Sequence, residues 1–335
     1  MRRRRLSRAR GLTAAFLLAG VGACAPIVIP AGPASETPRL AEDHLHVRDG
    51  ARLPLTAWRP AGGARASVIA LHSFGDFRLA FDELGPWLAA RGIATYAFDQ
   101  RGFGEGPHPS LWAGTEAMVD DLLDAVVAVR TAQTARTPLY LLGESMGGAV
   151  IVAAAARRPA PAVDGLILAA PAVREAMPLR ELSEGMVALA ARTVPGNRAT
   201  INVNRDPRLA LRAAERLSGD PRVIREVRID TYAGLIGLSS HASDVAGDVT
   251  LPALVLLGSG DRAVPLVSAC AAYARFAGPK VGLYFRGAPH RLLQARDREA
   301  AFADVLAWID RVPPPSLGQG LAQPFATVCA VPAPG

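Results

Sequence analysis

Cysteine is scarce in this chain: Cys24, Cys270 and Cys329 are the only three in 335 residues, and their spacings suit neither a metal site nor a redox motif. No apolar run reaches the roughly 20 residues that cross a bilayer, which excludes a multi-span membrane protein. Residues 1–23 lack Asp and Glu altogether. That local absence accounts for nearly all of the basic excess. Net charge is formally +7, but six of the 37 basic residues are Arg2, Arg3, Arg4, Arg5, Arg8 and Arg10. Beyond that segment 31 basic residues face 30 acidic ones, so no nucleic-acid partner is expected. Half the residues are apolar and a fifth are charged, which excludes a disordered or collagen-like chain. At about 100–200 residues per domain, the length allows one large domain or two modest ones.

The N-terminus has the three-part form of an export signal: the arginines, an apolar stretch from Leu12 to Val21, then small residues. Val21-Gly22-Ala23-Cys24 resembles the bacterial lipobox, in which the cysteine becomes the lipidated first residue of the mature protein. This predicts a signal peptide over 1–23 and membrane attachment through a lipid on Cys24. The corresponding location is the bacterial cell envelope, facing the periplasm. An ordinary secretory signal with an incidental cysteine is the alternative. Residues 24–43, rich in Pro, Ala and Gly and without periodicity, suit a tether. Cys270 lies in the apolar helical stretch 267–272 and is expected as a buried free thiol, although an exported protein would permit it to pair with Cys329.

A folded domain is expected over 44–311. His44–Val47 and Leu53–Trp58 flank Arg48-Asp49-Gly50, a hairpin signal. Short apolar runs then alternate with helical patterns: strand 67–71, helix 78–91, strand 94–98, helix 114–131, strand 139–142, helix 147–157 and strand 165–169. Such alternation predicts βαβ crossovers and a mostly parallel sheet. From 172 to 248 the pattern is Arg-rich and mainly helical, with no convincing parallel strand. Alternation then resumes with strand 254–257, helix 263–276, strand 281–285 and helix 296–309. A sheet interrupted once by a helical block reads as a core with an inserted cap. The tail 312–335, with Pro313-Pro314-Pro315 and later prolines, is expected to be poorly ordered.

Gly143-Glu144-Ser145-Met146-Gly147-Gly148 stands between the strand at 139–142 and the Ala-rich helix that follows, the context a G-x-S-x-G nucleophile elbow requires. A serine nucleophile needs a base and an acid that orients the base. Asp261, in Gly258-Ser259-Gly260-Asp261, and His290, in Gly287-Ala288-Pro289-His290, each follow a later strand at its carboxyl end, where open α/β sheets place their sites. Read singly, Asp261 is a turn or cap residue and His290 a loop residue; read in that order after Ser145, they form a triad. An oxyanion hole is expected from the N–H of Met146 and that of Phe74, in the loop after strand 67–71. The Phe74 side chain would then border an acyl pocket.

These motifs, with His72-Ser73-Phe74-Gly75 and Asp99-Gln100-Arg101-Gly102-Phe103-Gly104, together resemble the α/β-hydrolase fold, in its monoacylglycerol lipase and lysophospholipase branch, often called serine aminopeptidase S33-like. The resemblance covers roughly residues 44–311. It implies an α/β-hydrolase fold, a mostly parallel sheet with helices on both faces and an inserted helical cap at 172–248. It implies Ser145, Asp261 and His290 as nucleophile, acid and base, Phe74 and Met146 as oxyanion donors, and no cofactor or metal. Asp99 and Arg101 are structural in that family. One departure is that the family usually carries His-Gly where this chain has His72-Ser73.

The expected activity is therefore hydrolysis of carboxylic esters of acyl lipids, monoacylglycerol-like or lysophospholipid-like, through an acyl-enzyme at Ser145. A serine aminopeptidase-like amidase is the first alternative; its anionic subsite would draw on Glu144, Glu175, Glu181 or Glu184. The second alternative is a non-catalytic, membrane-anchored lipoprotein that kept a hydrolase fold.

Overall fold

The computed structural model describes residues 25–134, 136–174, 178–201 and 206–330. The expected signal peptide and Cys24 lie outside the described residues. In chain order the elements are β1 (Arg39–Leu40), β2 (His44–His46), β3 (Arg52–Trp58), β4 (Ala66–Leu71), α1 (Leu84–Ala89), β5 (Ile93–Phe98), α2 (Thr115–Ala132), β6 (Leu139–Glu144), α3 (Met146–Ala155) and β7 (Gly165–Ala169). Then come α4 (Pro178–Thr193), β8 (Arg198–Thr200), α5 (Leu211–Gly219), β9 (Glu226–Arg228), α6 (Ile229–Asp244), β10 (Ala253–Gly258), α7 (Leu266–Arg275), β11 (Lys280–Phe285), α8 (Glu299–Ile309), α9 (Pro315–Gly318), β12 (Ala322–Pro324) and α10 (Phe325–Cys329).

Ten strands form one sheet in the order β1-β2-β3-β5-β4-β6-β7-β10-β11-β12. Every pairing from β5 through β4, β6, β7 and β10 to β11 is parallel, and the outer strands add antiparallel. Central runs such as Val68-Ile69-Ala70-Leu71 and Leu166-Ile167-Leu168 are fully buried. This explains why they read as continuous apolar stretches and not as alternating ones: a parallel strand is covered on both faces. Helices surround the sheet; α2 packs on α3, while α1 meets α8 through Trp87 and Phe302.

The expected single helix over 78–91 is divided into a 3-10 turn, Arg78–Phe81, and α1. Pro86 is the reason: it has no N–H to donate and its ring collides with the carbonyl four residues back, so a helix tolerates it only in the first turn, and α1 accordingly begins at Leu84 with Pro86 in that turn. The block between β7 and β10 holds α4, α5 and α6, with α4 and α6 packed together. It also holds a two-stranded antiparallel ribbon, β8 with β9, which three-residue strands do not announce in sequence.

Three expectations about the ends of the domain are corrected. Residues 312–330 of the tail belong to the fold, 331–335 lying outside the described residues: β12 pairs antiparallel with β11, and Phe325 is fully buried against Tyr273 and Tyr284. Cys270 is not a free thiol; the returning tail brings Cys329 to it, and the two form a disulfide with Cα atoms 5.5 Å apart. The stretch expected as a tether lies along the fold. Ile27 N–H donates to Asp230 Oδ2 at 3.0 Å, Ile29 N–H donates to the Trp112 carbonyl, and β1 pairs with β2. Prolines that forbid helix are compatible with an extended strip against a surface, which is the form taken here.

Candidate active site

The turn from β6 into α3 is built by small residues. Ser145 has φ 54° and ψ −112°, a strained combination for a residue with a side chain. A Cβ on Gly143 would sit 2.5 Å from the backbone of Gly147, and one on Gly147 would sit 2.2 Å from the Leu71 carbonyl oxygen. Glycine at both positions lets the turn close and lifts the Ser145 hydroxyl off the sheet edge. Behind it α3 begins, so the positive end of the helix dipole lies beside Ser145.

The structure brings Ser145, His290 and Asp261 together. His290 Nε2 is 2.9 Å from Ser145 Oγ, and His290 Nδ1 is 2.8 Å from Asp261 Oδ2. The other carboxylate oxygen, Asp261 Oδ1, accepts the N–H groups of Ala263 and Val264 at 2.7 and 2.9 Å. These amides fix the carboxylate on the turn after β10. The Asp261 side chain is almost wholly shielded, whereas a fifth of the His290 side chain remains exposed. An imidazole so placed has one nitrogen held by a carboxylate and the other free to exchange a proton with the serine.

Met146 opens α3, so its N–H belongs to a first turn that has no intrahelical acceptor. The Phe74 N–H makes no hydrogen bond among the described residues. The loop that carries it is fixed from below. His72 is fully buried; its Nε2 accepts the Gln100 N–H at 3.1 Å, so its Nδ1–H donates to the Ser73 carbonyl at 2.9 Å. Burial holds the imidazole below its ordinary pKa, consistent with that neutral tautomer. Ser73, where a glycine is usual, donates its hydroxyl to Glu144 Oε2 at 2.9 Å, and Gln294 donates to the same oxygen. Burial pushes the Glu144 carboxyl up from its ordinary value. Asp76 is buried too, but Arg216 of the cap and Arg291 bond to it and outweigh that burial, holding it low.

Ser145 and His290 face a cavity of about 380 Å³, whose apolar lining includes Phe74, Val173, Ile201, Tyr232, Leu235 and Ile236. All but Phe74 come from the segment between β7 and β10. A larger cleft of about 660 Å³ shares His290, Arg291 and Arg262 with it, and its wall includes Asp206 and Arg208; Ser145 lines the smaller cavity only. Of the acids weighed for an amine subsite, Glu144 is fully buried and Glu184 is paired with Arg174. Glu181 is exposed and lines neither cavity, and Glu175 lies outside the described residues.

Asp99 and Arg101 act on structure, as their motif suggests. Asp99 accepts the N–H groups of Arg78 and Glu105, and Arg101 bridges Asp49 of the hairpin to Asp121 of α2. Sequence reasoning missed Arg208, Arg216, Gln294 and Asp76, all of which surround the site. The partners that tie them to the site lie 52 to 218 residues away, so no local signal marks them.

The family model described as serine aminopeptidase, S33, matches residues 62–297. A monoacylglycerol lipase of Mycolicibacterium smegmatis is 26% identical over 272 residues, 78% of this chain and 93% of that protein. A monoglyceride lipase of Rattus norvegicus is 30% identical over 225 residues, 65% of this chain and 73% of its own length. Among solved structures, a soluble variant of monoglyceride lipase from Saccharomyces cerevisiae superposes with a TM-score of 0.68 at 18% identity, covering 85% of this chain and 99% of that one, and so speaks for the fold. With most of the chain matched by the family model and a relative at 30% identity aligned over nearly three quarters of its length, the chain belongs to the serine aminopeptidase S33 family of α/β-hydrolases, in the branch of the monoacylglycerol lipases.

Proposed function

We propose that the protein hydrolyses carboxylic esters of acyl lipids, with a monoacylglycerol or lysophospholipid as the type of substrate, through an acyl-enzyme at Ser145. The observation that carries this reading is the His290 ring, held between Ser145 Oγ and Asp261 Oδ2 at the wall of an apolar cavity. In the first half-reaction Ser145 Oγ attacks the ester carbonyl carbon as His290 Nε2 takes its proton. The Phe74 and Met146 N–H groups stabilise the negative oxygen that forms. The carbon–oxygen bond to the alcohol then breaks, and the alcohol leaves with the proton from His290. In the second, His290 draws a proton from water as its oxygen attacks the acyl carbon, then returns that proton to Ser145 Oγ as the acyl–oxygen bond breaks and the acid leaves. The names of the relatives favour an acyl glycerol substrate, and the burial of Glu144 and pairing of Glu184 favour ester over amine recognition.

Ser145→Ala should remove turnover by about 10⁴–10⁶-fold and abolish labelling by a fluorophosphonate. Along an ester series kcat/KM should climb by about fourfold for each methylene buried, the equivalent of about 0.8 kcal/mol, and stop where the cavity ends. Retained turnover in the alanine variant would overturn the nucleophile. Faster cleavage of aminoacyl amides than of any ester would move the protein to the peptidase reading.

The protein's location is part of the same proposal: export, with a lipid on Cys24 holding it on the periplasmic side of the envelope. The Cys270–Cys329 disulfide supports an oxidising compartment. Cys24→Ser should release the protein into the soluble exported fraction; a wild-type protein already soluble there, with no added lipid mass, would overturn the anchor.

A further inference from the structure

Arg208 stands outside every motif, in the segment that runs from the cap ribbon into α5. Its guanidinium makes four hydrogen bonds. Nε and Nη2 donate to the Asp206 carboxylate at 2.8 and 2.6 Å, which neutralises the cation. Nη2 also donates to the Gly260 carbonyl at 3.0 Å, and Nη1 donates to the Gly287 carbonyl at 2.7 Å. Gly260 immediately precedes Asp261, and Gly287 opens the turn that ends in His290. One planar group thus spans the loop of the acid and the loop of the base.

The backbone of the same segment is fastened to the chain beyond His290. The Arg208 carbonyl accepts the Arg296 N–H at 2.8 Å, and Ala210 N–H donates to the Gln294 carbonyl at 3.0 Å. The two loops also touch directly, through Gly260 N–H to the Ala288 carbonyl and Gly287 N–H to Ser259 Oγ. What Arg208 adds is a third fixed point from the cap. A guanidinium is suited to that role because its donors are held in a rigid fork, so little freedom is lost for each bond made.

We infer that Arg208 is a positioning residue, clamping the two loops at the separation that the Asp261–His290 hydrogen bond requires and tying the alignment of the triad to the seating of the cap. The inference rests on the triad proposed above. Gly260 completes the device. A Cβ there would meet Arg208 Nη1 at 1.6 Å, and its three nearest atoms all belong to that guanidinium. Gly260→Ala therefore evicts Arg208 before it disturbs anything else, and gives a second, independent way to open the clamp.

The test uses the full chain as wild type, Arg208→Ala, Arg208→Lys, Gly260→Ala and the Arg208→Ala/Gly260→Ala double variant. For each, the second-order rate of fluorophosphonate labelling at Ser145 is measured, with kcat and KM for a short-chain ester. A displacement of about 1 Å in a catalytic constellation costs on the order of 10²-fold. Each single variant should therefore lose labelling rate and kcat by up to that factor, with KM within about twofold of wild type. Lysine should not restore the loss, since one ammonium cannot span two carbonyls and a carboxylate. The double variant should be no slower than the slower single, because both changes undo one contact. Wild-type labelling in Arg208→Ala, full rescue by lysine, or losses that multiply in the double variant would overturn the clamp. If wild type itself goes unlabelled at Ser145, the triad reading fails instead.

Discussion

Replacing both Cys270 and Cys329 by serine removes the covalent closure of a segment with a sequence separation of 59 residues. In the chain-entropy account, a loop of that size costs the unfolded state about 14 cal/mol/K when it is closed, or about 4 kcal/mol at 25 °C. The double variant should be less stable by about that amount. At about 2.1 cal/mol/K per residue, a domain of roughly 300 residues has an unfolding entropy near 0.6 kcal/mol/K, so Tm should fall by about 6–7 °C. The assay is thermal unfolding followed by circular dichroism with and without a thiol reductant. Wild type should lose the same increment on reduction, and the double variant should be indifferent to it. Neither cysteine lines the cavity that holds Ser145 and His290, so kcat at 25 °C should be unchanged. A double variant with the wild-type Tm, or a wild type unmoved by reductant, would mean that the disulfide adds nothing to stability and leave the tail held by Phe325 and β12 alone.

Asp261→Asn should cost kcat about 10⁴-fold, because the amide leaves His290 in the wrong tautomer; steady-state kinetics showing full kcat would assign the acid elsewhere. Asp76→Ala strands Arg216 and Arg291, both largely buried, and should destabilise the protein by about 3–5 kcal/mol in denaturant unfolding; a change under about 1 kcal/mol would contradict the pairing. Burial opposes the ionisation of Asp49, but bonds from Arg101 and from the Ala51 and Gly32 N–H groups outweigh it and hold its carboxyl at about 2. A folded value below the unfolded one means a contribution present above the ordinary carboxylate range and lost as pH falls from about 4 towards 2. Asp49→Asn should flatten that stretch of the plot of Tm against pH, and superimposable plots would count against it.

What could be read from the sequence was what neighbouring residues decide. The elbow is legible because its constraint is steric and confined to six positions, and the parallel strands are legible because burial on both faces makes them uniformly apolar. Asp261 and His290 needed only their order and their strands. The tail's prolines argue locally against regular structure, but its place in the fold comes from β11 and Tyr273, which no residue near Pro313 reveals. The state of Cys270 is hidden for the same reason, since its partner arrives only with that tail. Arg208 is beyond such reading altogether, because its carbonyl partners lie 52 and 79 residues along the chain and are backbone atoms with no side-chain signature.

The strip from Ile27 to Ile29, tied to Asp230 and Trp112, changes what an anchor at Cys24 would mean. Residues 24–43 paid out as free chain would let the body range tens of ångströms from a bilayer. Here the leash is three peptide steps, at most about 11 Å from the Cα of Cys24 to that of Ile27. Its fixed end is the start of α6, the cap helix that supplies Tyr232, Leu235 and Ile236 to the cavity wall. A lipid at residue 24 would moor the protein by the rim of its own entrance. The search for substrate would then be two-dimensional, among molecules drifting past in the same leaflet.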